Sequence, residues 1–365
     1  MKKEIDWLII VFGDTVYGGA EQLQMQVTEY LVKENYNCTV YFLKRTGYGS
    51  WDHLANKCHL VYSPFSNNVL SYLHIIPFVL KTLRKNQIHR TFSSQTLINA
   101  MLGLLKKLRI LPTTKIIARE STSVFKQMKG IKAERYRMAY LLGYEKIDSV
   151  IFQTETMKNN LLEKIPGFKN KKGLYVLKNP INIESIEKKS IESPPFDVEK
   201  EFLVAAGRLI DVKGHDILIR SFHKIEEIFP KMELWILGDG ILRDELQILI
   251  NNLKLQDKVR LIGFVDNPYP YFKYAKACVI SSRIEGFPNV LLQMMACNDK
   301  VVSTLCAGDI KYIDGIYKCQ TENMDDLAKQ IYNCLNEDTE HNRAIFDAFL
   351  EKRTFKNYMD EILKM

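Results

Sequence analysis

The sequence predicts an α/β fold of two doubly wound domains, and three observations support this prediction. At 365 residues with 46% hydrophobic content, the chain is too long for one compact core of ordinary size. Strand-like and helix-like apolar periods alternate along both halves of the chain, which favours parallel sheets covered by helices. A charged stretch with two consecutive prolines, at 183–200, separates the two series.

The first series opens with a buried strand at 5–12, a helix at 19–34 and a second strand at 38–43. Two parallel strands need such a crossover, so this order predicts a parallel sheet. Further strands of this series are predicted at 115–118, 149–152 and 174–177.

The second series has the same alternation. Its strands are predicted at 201–207, 233–237, 259–262, 278–281 and 300–303, and its helices after Lys213 and at 241–253, 288–296 and 325–335. We therefore expect a first domain at 1–182, a linker at 183–200 and a second domain at 201–343. The amphipathic segment 344–365 is expected to form a helix that returns to the first domain, because its apolar face needs a partner.

Composition excludes several classes of protein. A charged fraction of 26% with 11% aromatic residues excludes general disorder. The seven cysteines are odd in number and lack CxxC spacing, so we expect reduced thiols in a cytoplasm, with no disulfide framework or zinc site. The start of the chain lacks the apolar region of a signal peptide. The segment 69–80 is interrupted by His74 and Pro77 and is too short for the ~20 residues that span a bilayer, so no transmembrane helix is expected.

Positive charge is concentrated in the first half. Residues 1–190 hold 29 Lys+Arg against 15 Asp+Glu, a net +14, while the rest holds 22 against 28, a net −6, which together give the overall +8. Basic residues accompany apolar ones at 97–111 and recur at 126–137. This pattern suits an anionic membrane surface, where each nearby charge adds about 1 kcal/mol; the alternative is a core helix with a solvated edge. Nucleic acid is not expected, since no stacking-aromatic module or helix-turn-helix spacing accompanies the charge.

Loops that follow strands are the candidate ligand sites, because open α/β sheets bind ligands at the carboxyl ends of their strands. Gly18 and Gly19 open a helix whose backbone N–H groups can approach an anion, although an ordinary turn would have the same sequence. Arg208 and Lys213 lie five residues apart after a strand. Both side chains can therefore converge on one diphosphate.

Two further loops of the second series contain glycine after a strand. Gly238, Asp239 and Gly240 open a helix, where glycine permits the close approach of a nucleotide. Phe264 and Val265 follow the next strand and could supply main-chain contacts to a base.

The most informative motif follows the strand at 278–281. Glu285 stands just before a helix start at Asn289, so its carboxylate can accept hydrogen bonds from sugar hydroxyls while the helix terminus favours a leaving phosphate. The alternative is a helix-capping glutamate. The candidate donor-binding residues of this motif are Glu285, Gly286, Phe287, Pro288, Asn289, Val290, Leu291 and Gln293.

Together these loops resemble the retaining glycosyltransferases of the GT-B fold, in particular the large family 4 that builds bacterial polysaccharides and glycolipids. The resemblance covers nearly the whole chain and is strongest over 207–307. It implies two Rossmann-like domains facing across a cleft, with the C-terminal helix packing back on the first domain. It assigns Arg208 and Lys213 to the donor diphosphate and Glu285 to the donor sugar, and it places Gly18 and Gly19 near the phosphates.

The resemblance also implies an activity. A hexose or N-acetylhexosamine would pass from a nucleotide sugar, expected to be UDP-linked, to a lipid-linked oligosaccharide or glycan acceptor with retention of configuration. No metal or cofactor is expected, and the enzyme would be cytoplasmic, peripheral on the inner face of the membrane, and act in O-antigen or capsule synthesis. The alternative from another class is a catalytically silent relative that binds a sugar nucleotide or scaffolds an assembly complex.

Two positions depart from the family pattern. Gln293 stands where relatives have a second glutamate eight residues after the first, and an amide bonds hydroxyls without charge-assisted strength, so we expect altered donor affinity. After the strand at 115–118, many relatives place a histidine near the reaction centre, and this chain has Glu120 and Ser121. We assign Glu120 to the catalytic group with Glu285, Arg208 and Lys213; a buried polar loop is the alternative.

Overall fold

The computed structural model describes residues 3–15, 18–47 and 49–365. The chain forms two compact units, one that runs through Lys178 and includes Lys356–Met365, and one at Asn179–Phe355. Each unit is a parallel sheet with helices on both faces, which confirms the predicted pair of doubly wound α/β domains.

The first unit contains a seven-stranded parallel sheet in the order β3-β2-β1-β4-β5-β6-β7. Its strands are β1 (Lys3–Gly13), β2 (Tyr36–Lys44), β3 (His59–Tyr62), β4 (Arg90–Ser93), β5 (Lys115–Glu120), β6 (Ser149–Phe152) and β7 (Leu174–Val176). Its helices include α1 (Gly19–Lys33), α2 (Asn68–Leu83), α3 (Thr96–Lys107), α4 (Val124–Gln127), α5 (Gly130–Gly143) and α6 (Glu155–Lys164). The sequence did not predict β3 and β4.

The two faces of the first sheet follow from the alternation of side chains along each strand. In β5, Ile116 and Ala118 join the core beneath α2, α3, α5 and α6, while Ile117 is buried on the opposite face. By the same alternation, the side chain of Glu120 points into the core with those of Ile116 and Ala118.

The second unit contains a six-stranded parallel sheet in the order β10-β9-β8-β11-β12-β13. Its strands are β8 (Phe202–Ala206), β9 (Glu233–Leu237), β10 (Val259–Gly263), β11 (Ala277–Ile280), β12 (Val301–Thr304) and β13 (Tyr317–Cys319). Its helices are α7 (Ile183–Ser190), α8 (His215–His223), α9 (Arg243–Asn252), α10 (Tyr269–Tyr274), α11 (Asn289–Cys297), α12 (Met324–Asn336) and α13 (Glu340–Leu350). Separate apolar cores lie on its two faces.

The linker predicted at 183–200 is wrong for its first half, which is helix α7. The side chain of Asn182 caps this helix by accepting a hydrogen bond from the Ser185 N–H at 3.1 Å. Ile186 is buried in the core of the second unit, so α7 packs against α10 and α11. The charged residues that suggested a linker lie on the outer side of α7.

The C-terminal segment is two helices where one was predicted. Helix α13 belongs to the second unit, where Phe346 and Leu350 are buried. The helical segment is interrupted around Arg353, whose carbonyl accepts a hydrogen bond from the Ile181 N–H at 2.8 Å. The last helix, α14 (Phe355–Lys364), packs in the first unit, and Arg90 Nη1 donates to its Leu363 carbonyl at 2.9 Å. The predicted return to the first domain is therefore made by α14 alone.

Candidate functional site

The loop from β8 to α8 is held against the loop that follows β11. Gly214 adopts φ +62°, and a Cβ atom there would lie 2.2 Å from the Ser281 carbonyl oxygen, so only glycine fits this position. Ser281 Oγ donates a hydrogen bond to the Lys213 carbonyl at 3.0 Å. The two loops thus present their side chains at the same carboxyl edge of the second sheet.

Lys213 and Glu285 form an ion pair at this edge. Lys213 Nζ lies 2.6 Å from Glu285 Oε1, and Ser282 Oγ donates to the same oxygen at 3.0 Å. The Glu285 backbone N–H donates to the Cys306 carbonyl at 2.9 Å, which fixes the glutamate from behind. The two side chains are 19% and 17% exposed, so both charged groups can still reach a ligand.

Three glycine-containing loops pack backbone to backbone beside this pair. Gly238 adopts φ +128°, and a Cβ atom there would lie 2.1 Å from the Gly207 carbonyl. The Gly238 N–H donates to the Gly263 carbonyl at 2.6 Å, and the Leu209 N–H donates to the Asp239 carbonyl at 2.9 Å. Gly240 has equally little room, since its Cβ position is 2.5 Å from the Leu209 carbonyl. The glycines therefore let three strand ends meet closely.

The predicted contact residues on these loops differ in exposure. Arg208, Asp239 and Phe264 are exposed, and Val265 is half-buried. Asp239 Oδ1 accepts a hydrogen bond from its neighbour, the Gly240 N–H, at 2.8 Å. Arg208 and Lys213 thus lie on one loop with the arginine open to solvent, as a diphosphate site requires.

The start of α11 mixes core and site residues. Phe287 and Leu291 are buried in the core, and Gly286 and Pro288 are also buried, so none of these four residues presents a side chain to a ligand. The other predicted residues, Asn289, Val290 and Gln293, are half-buried. Asn289 Oδ1 accepts a hydrogen bond from Asn179 Nδ2 at 2.5 Å, which anchors the beginning of the helix.

Sequence reasoning missed His215, the first residue of α8. Its ring is buried, and within the described parts of the chain neither ring nitrogen has a hydrogen bond of ordinary geometry. The pKa of His215 is lowered to about 4, chiefly by burial and then by the Lys213 charge, against a weaker opposing effect of the Gly207 and Arg208 backbone. His215 is therefore neutral at pH 7, and no further positive charge adds to the loop.

Ser282 and Arg283 were also missed. Both lie within three residues of the end of β11, and this was a usable signal because open α/β sheets bind ligands at the carboxyl ends of their strands. Ser282 orients Glu285, as described above, and its own carbonyl accepts a hydrogen bond from Thr304 Oγ1 at 2.6 Å.

In the first unit, Gly18 and Gly19 lie at the beginning of α1, as predicted. Gly18 is the N-cap residue, and a Cβ atom there would lie 2.2 Å from Glu21 Oε2. The carboxylate of Glu21 thus lies over this helix terminus, where a negative charge is stabilised.

Glu120 is buried, and its carboxylate is surrounded by donors. Tyr140 OH donates at 2.6 Å and Thr96 Oγ1 at 2.9 Å, and Tyr144 OH and Asn99 Nδ2 donate as well. Burial raises the pKa of Glu120, against the effect of these hydrogen bonds. Both carboxylate oxygens are engaged inside the core, which corresponds to the buried polar alternative and leaves no surface for a substrate. Ser121 Oγ is likewise engaged by the Ser94 carbonyl at 2.8 Å.

The chain offers no evident metal centre in 3–15, 18–47 and 49–365, where no group of three or more His, Cys, Asp or Glu could hold an ion. Across the same residues no helix is long and apolar enough to cross a bilayer. All seven cysteines are free thiols.

Each of the two units is thus a parallel-sheet Rossmann-like domain, and the second has a basic loop and a carboxylate at its strand ends. Residues 186–348 match the family Glycosyl transferases group 1. HepE from Anabaena, solved with UDP and glucose, has the same fold, with a TM-score of 0.79 at 16% identity over 98% of this chain and 99% of that one.

Two relatives share more of the sequence over shorter spans. An uncharacterized glycosyltransferase of Methanocaldococcus jannaschii is 34% identical over 187 residues, which is 49% of this chain and 45% of that protein. The Campylobacter jejuni N-acetylgalactosamine-N,N'-diacetylbacillosaminyl-diphospho-undecaprenol 4-alpha-N-acetylgalactosaminyltransferase is 33% identical over 194 residues, 52% of this chain and 51% of that protein. The chain thus spans about half the length of these relatives.

Proposed function

We propose that this protein is a retaining, metal-independent family 4 glycosyltransferase. It moves a hexose or N-acetylhexosamine from a nucleotide sugar, UDP-linked by preference, to a lipid-linked or glycan acceptor in bacterial surface polysaccharide synthesis. The observation that carries the proposal is the Lys213–Glu285 pair, which sets a cation for phosphate 2.6 Å from a carboxylate for sugar hydroxyls. The match of residues 186–348 to Glycosyl transferases group 1 and the similarity to the Campylobacter transferase support it.

In the proposed mechanism, the residues at the edge of the second sheet bind the donor and stabilise its leaving group. Arg208 and Lys213 bind the diphosphate, and the N-terminus of α11 stabilises the negative charge that grows on the leaving phosphate. Glu285 accepts hydrogen bonds from the sugar and fixes its orientation. The bond from the anomeric carbon to the phosphate oxygen breaks as the acceptor oxygen bonds to the same face, and the acceptor proton passes to the departing phosphate. No cofactor takes part.

Nucleotide binding tests the donor site first. Stabilisation of the purified protein is measured with UDP-, GDP-, ADP- and dTDP-sugars, for the wild type, Arg208→Ala and Lys213→Ala. A ligand at 100 times its dissociation constant should add about 2.7 kcal/mol, and both variants should lose this. Arg220→Ala and Lys224→Ala are matched controls, since Arg220 is an exposed arginine of α8 and Lys224 pairs with Asp325. They should respond as the wild type does.

Turnover distinguishes the enzyme from the silent relative. The enzyme should release nucleoside diphosphate with an acceptor from a panel of lipid-linked and free glycans, and NMR of the product should show the anomeric configuration of the donor. Binding without turnover across the panel would favour the sugar-nucleotide-binding scaffold. No binding of any nucleotide sugar would refute both.

The proposed acceptor is membrane-linked, and the first unit has a surface that suits this. Helices α2, α3 and α5 cover one face of the first sheet, because their buried residues join one core. The body of α3 is a core helix, as the alternative interpretation had it. Large apolar side chains nevertheless face outward from these helices and their ends: Val69, Leu70, Leu73, Leu80, Leu104, Leu108, Ile131, Met138, Leu141 and Leu142.

The charges of this helical layer complement an anionic bilayer. Neither α2 nor α3 contains an acidic residue, and the one acidic residue of α5, Glu134, pairs with Arg137 at 3.2 Å. Lys132 and Arg135 are exposed between the apolar residues of α5. We include in the proposal peripheral binding to the inner face of the cytoplasmic membrane through this layer.

Vesicle sedimentation tests the membrane surface. Binding to vesicles with about one third anionic lipid should exceed binding to neutral vesicles, and Ile131→Ser or Lys132→Glu should weaken it. Ile241→Ser is a matched control, since Ile241 is 85% exposed in the second unit and Ile131 is 83% exposed in the first. Equal losses for Ile131→Ser and Ile241→Ser would argue against a specific surface.

A further inference from the structure

Arg283 makes an unusually dense set of contacts beside the proposed donor site. Its guanidinium binds Asp216 with both ends, with Nη1 to Oδ1 at 2.9 Å and Nη2 to Oδ2 at 2.8 Å. Nη1 also donates to the Asp211 carbonyl at 2.5 Å, and Nε lies 2.5 Å from Glu322 Oε1. The side chain is only 20% exposed, so these contacts are partly shielded from water.

These partners come from two separate segments. Asp211 and Asp216 flank Lys213 between β8 and the first turn of α8, and Glu322 belongs to the loop after β13. Arg283 itself lies two residues before Glu285, and its backbone N–H donates to the Val212 carbonyl at 2.8 Å. The guanidinium therefore joins the segment that carries Lys213 to the segment that carries Glu285.

We propose that Arg283 is a positioning residue that sets the distance between Lys213 and Glu285 for donor binding. It does not touch the donor in this proposal, which rests on the proposed function of the same site. The planar fork of arginine holds Asp216 in a fixed orientation, while the ammonium of lysine is a point charge on a flexible stem. Arg283→Lys thus keeps the charge and removes the geometry.

The enzyme test compares two arginine clusters of the second unit. Arg343 binds Asp347 at 2.7 Å and Asp299 at 3.4 Å and contacts neither loop of the site, so Arg343→Lys is the matched control. Arg283→Lys should lower kcat/KM at least tenfold and weaken the nucleotide sugar more than the free nucleoside diphosphate. Arg343→Lys should leave both affinities within twofold of the wild type, at a similar melting temperature.

A double-mutant cycle identifies the route of the effect. If Arg283 acts through Asp216, then Asp216→Asn alone and the double variant with Arg283→Lys should each lose about as much as Arg283→Lys. Independent losses that multiply would show that the bidentate pair is not the positioning contact.

Hydrogen exchange of the protein without ligand tests the positioning role of Arg283 separately from the proposed glycosyltransferase function. Arg283→Lys should speed hydrogen exchange at 211–216 and 282–287, and Arg343→Lys should not. Suppose that the wild type binds no nucleotide sugar but Arg283→Lys still exchanges faster in these two segments. Arg283 would then hold the two segments together, and the donor site would be rejected. Wild-type exchange, affinities and turnover in Arg283→Lys would overturn the inference.

Discussion

Two glutamates at the ends of strands, Glu120 in the first unit and Glu285 in the second, have opposite environments. Glu120 is the last residue of β5 and lies in the core under four hydrogen-bond donors. Glu285 lies five residues beyond the end of β11 and meets Lys213 and Ser282 at a partly open edge. A strand end is thus not sufficient to make a carboxylate available to a ligand.

The difference has a simple geometric origin. Side chains alternate along a strand, so Glu120 has the same inward direction as Ile116 and Ala118, both fully buried. Glu285 is released from this alternation by the loop, and its backbone is tied to Cys306 instead. The carboxylate of the first glutamate is enclosed in the core, and that of the second is partly open to solvent, as its proposed role requires.

The largest expected effect is on turnover, in Glu285→Ala. Loss of a preorganised group that orients the donor sugar should lower kcat by about 100-fold or more. The free energy of unfolding should change by less than about 1 kcal/mol, because the pair is partly open to solvent. Nucleoside diphosphate binding, measured by calorimetry, should persist. Full activity in Glu285→Ala would remove the distinction between the two glutamates.

Glu120→Ala should have the reverse profile. It leaves the buried hydroxyls of Tyr140, Tyr144 and Thr96 without their acceptor, and each unsatisfied group costs about 1–3 kcal/mol, so we expect a loss of about 3 kcal/mol in the first unit. Urea unfolding followed by hydrogen exchange in β4 to β6 measures this. The residual folded protein should keep its affinity for nucleoside diphosphate. Retained stability together with lost turnover would return Glu120 to the catalytic group.

The two units should also respond to acid in opposite directions. His215 has a folded pKa of about 4, below its ordinary 6.5, so the second unit should lose stability as pH falls from 6.5 towards 4, by about 2 kcal/mol at pH 5. Glu120 has a raised pKa in the folded state, so its contribution is present below about 4.5 and is lost as pH rises through the folded pKa.

Hydrogen exchange at pH 5 and 7, corrected for intrinsic rates, measures both slopes in one sample. His215→Gln should flatten the slope of the second unit alone, and Glu120→Gln that of the first alone. Parallel slopes in both units would contradict the assignment of either group.

The sequence predicted most of the second unit because β8, β9 and β10 are strands of five residues that end at or just before a glycine. Strand Glu233–Leu237 was predicted at its observed bounds. The Lys213 and Glu285 loops were predicted to share a site because carboxyl ends of parallel strands meet. The buried polar contacts were missed, because the partners of Arg283 and Glu120 are distant from them in the sequence. The local hydrophobic pattern does not indicate that Tyr140 and Tyr144 contact a buried carboxylate.

The smallest expected effect is a gain, in Gln293→Glu. Position 293 is half-buried on α11, eight residues after Glu285, where the family resemblance implies a second glutamate in donor binding. Hydrogen bonds to a carboxylate are roughly twice as strong as those to an amide, so donor affinity should rise about fivefold, or about 1 kcal/mol.

Gln247→Glu, on the exposed side of α9, is the matched control and should leave affinity unchanged. If Gln293→Glu leaves donor affinity as it was, position 293 does not reach the donor. If Gln293→Glu instead destabilises the second unit by several kcal/mol, then position 293 is shielded from solvent. A buried carboxylate without hydrogen-bond donors has this cost. A gain in donor affinity at unchanged stability would show that this edge of the sheet tolerates a second carboxylate because it is open to solvent. The same openness distinguishes the surroundings of Glu285 from those of Glu120.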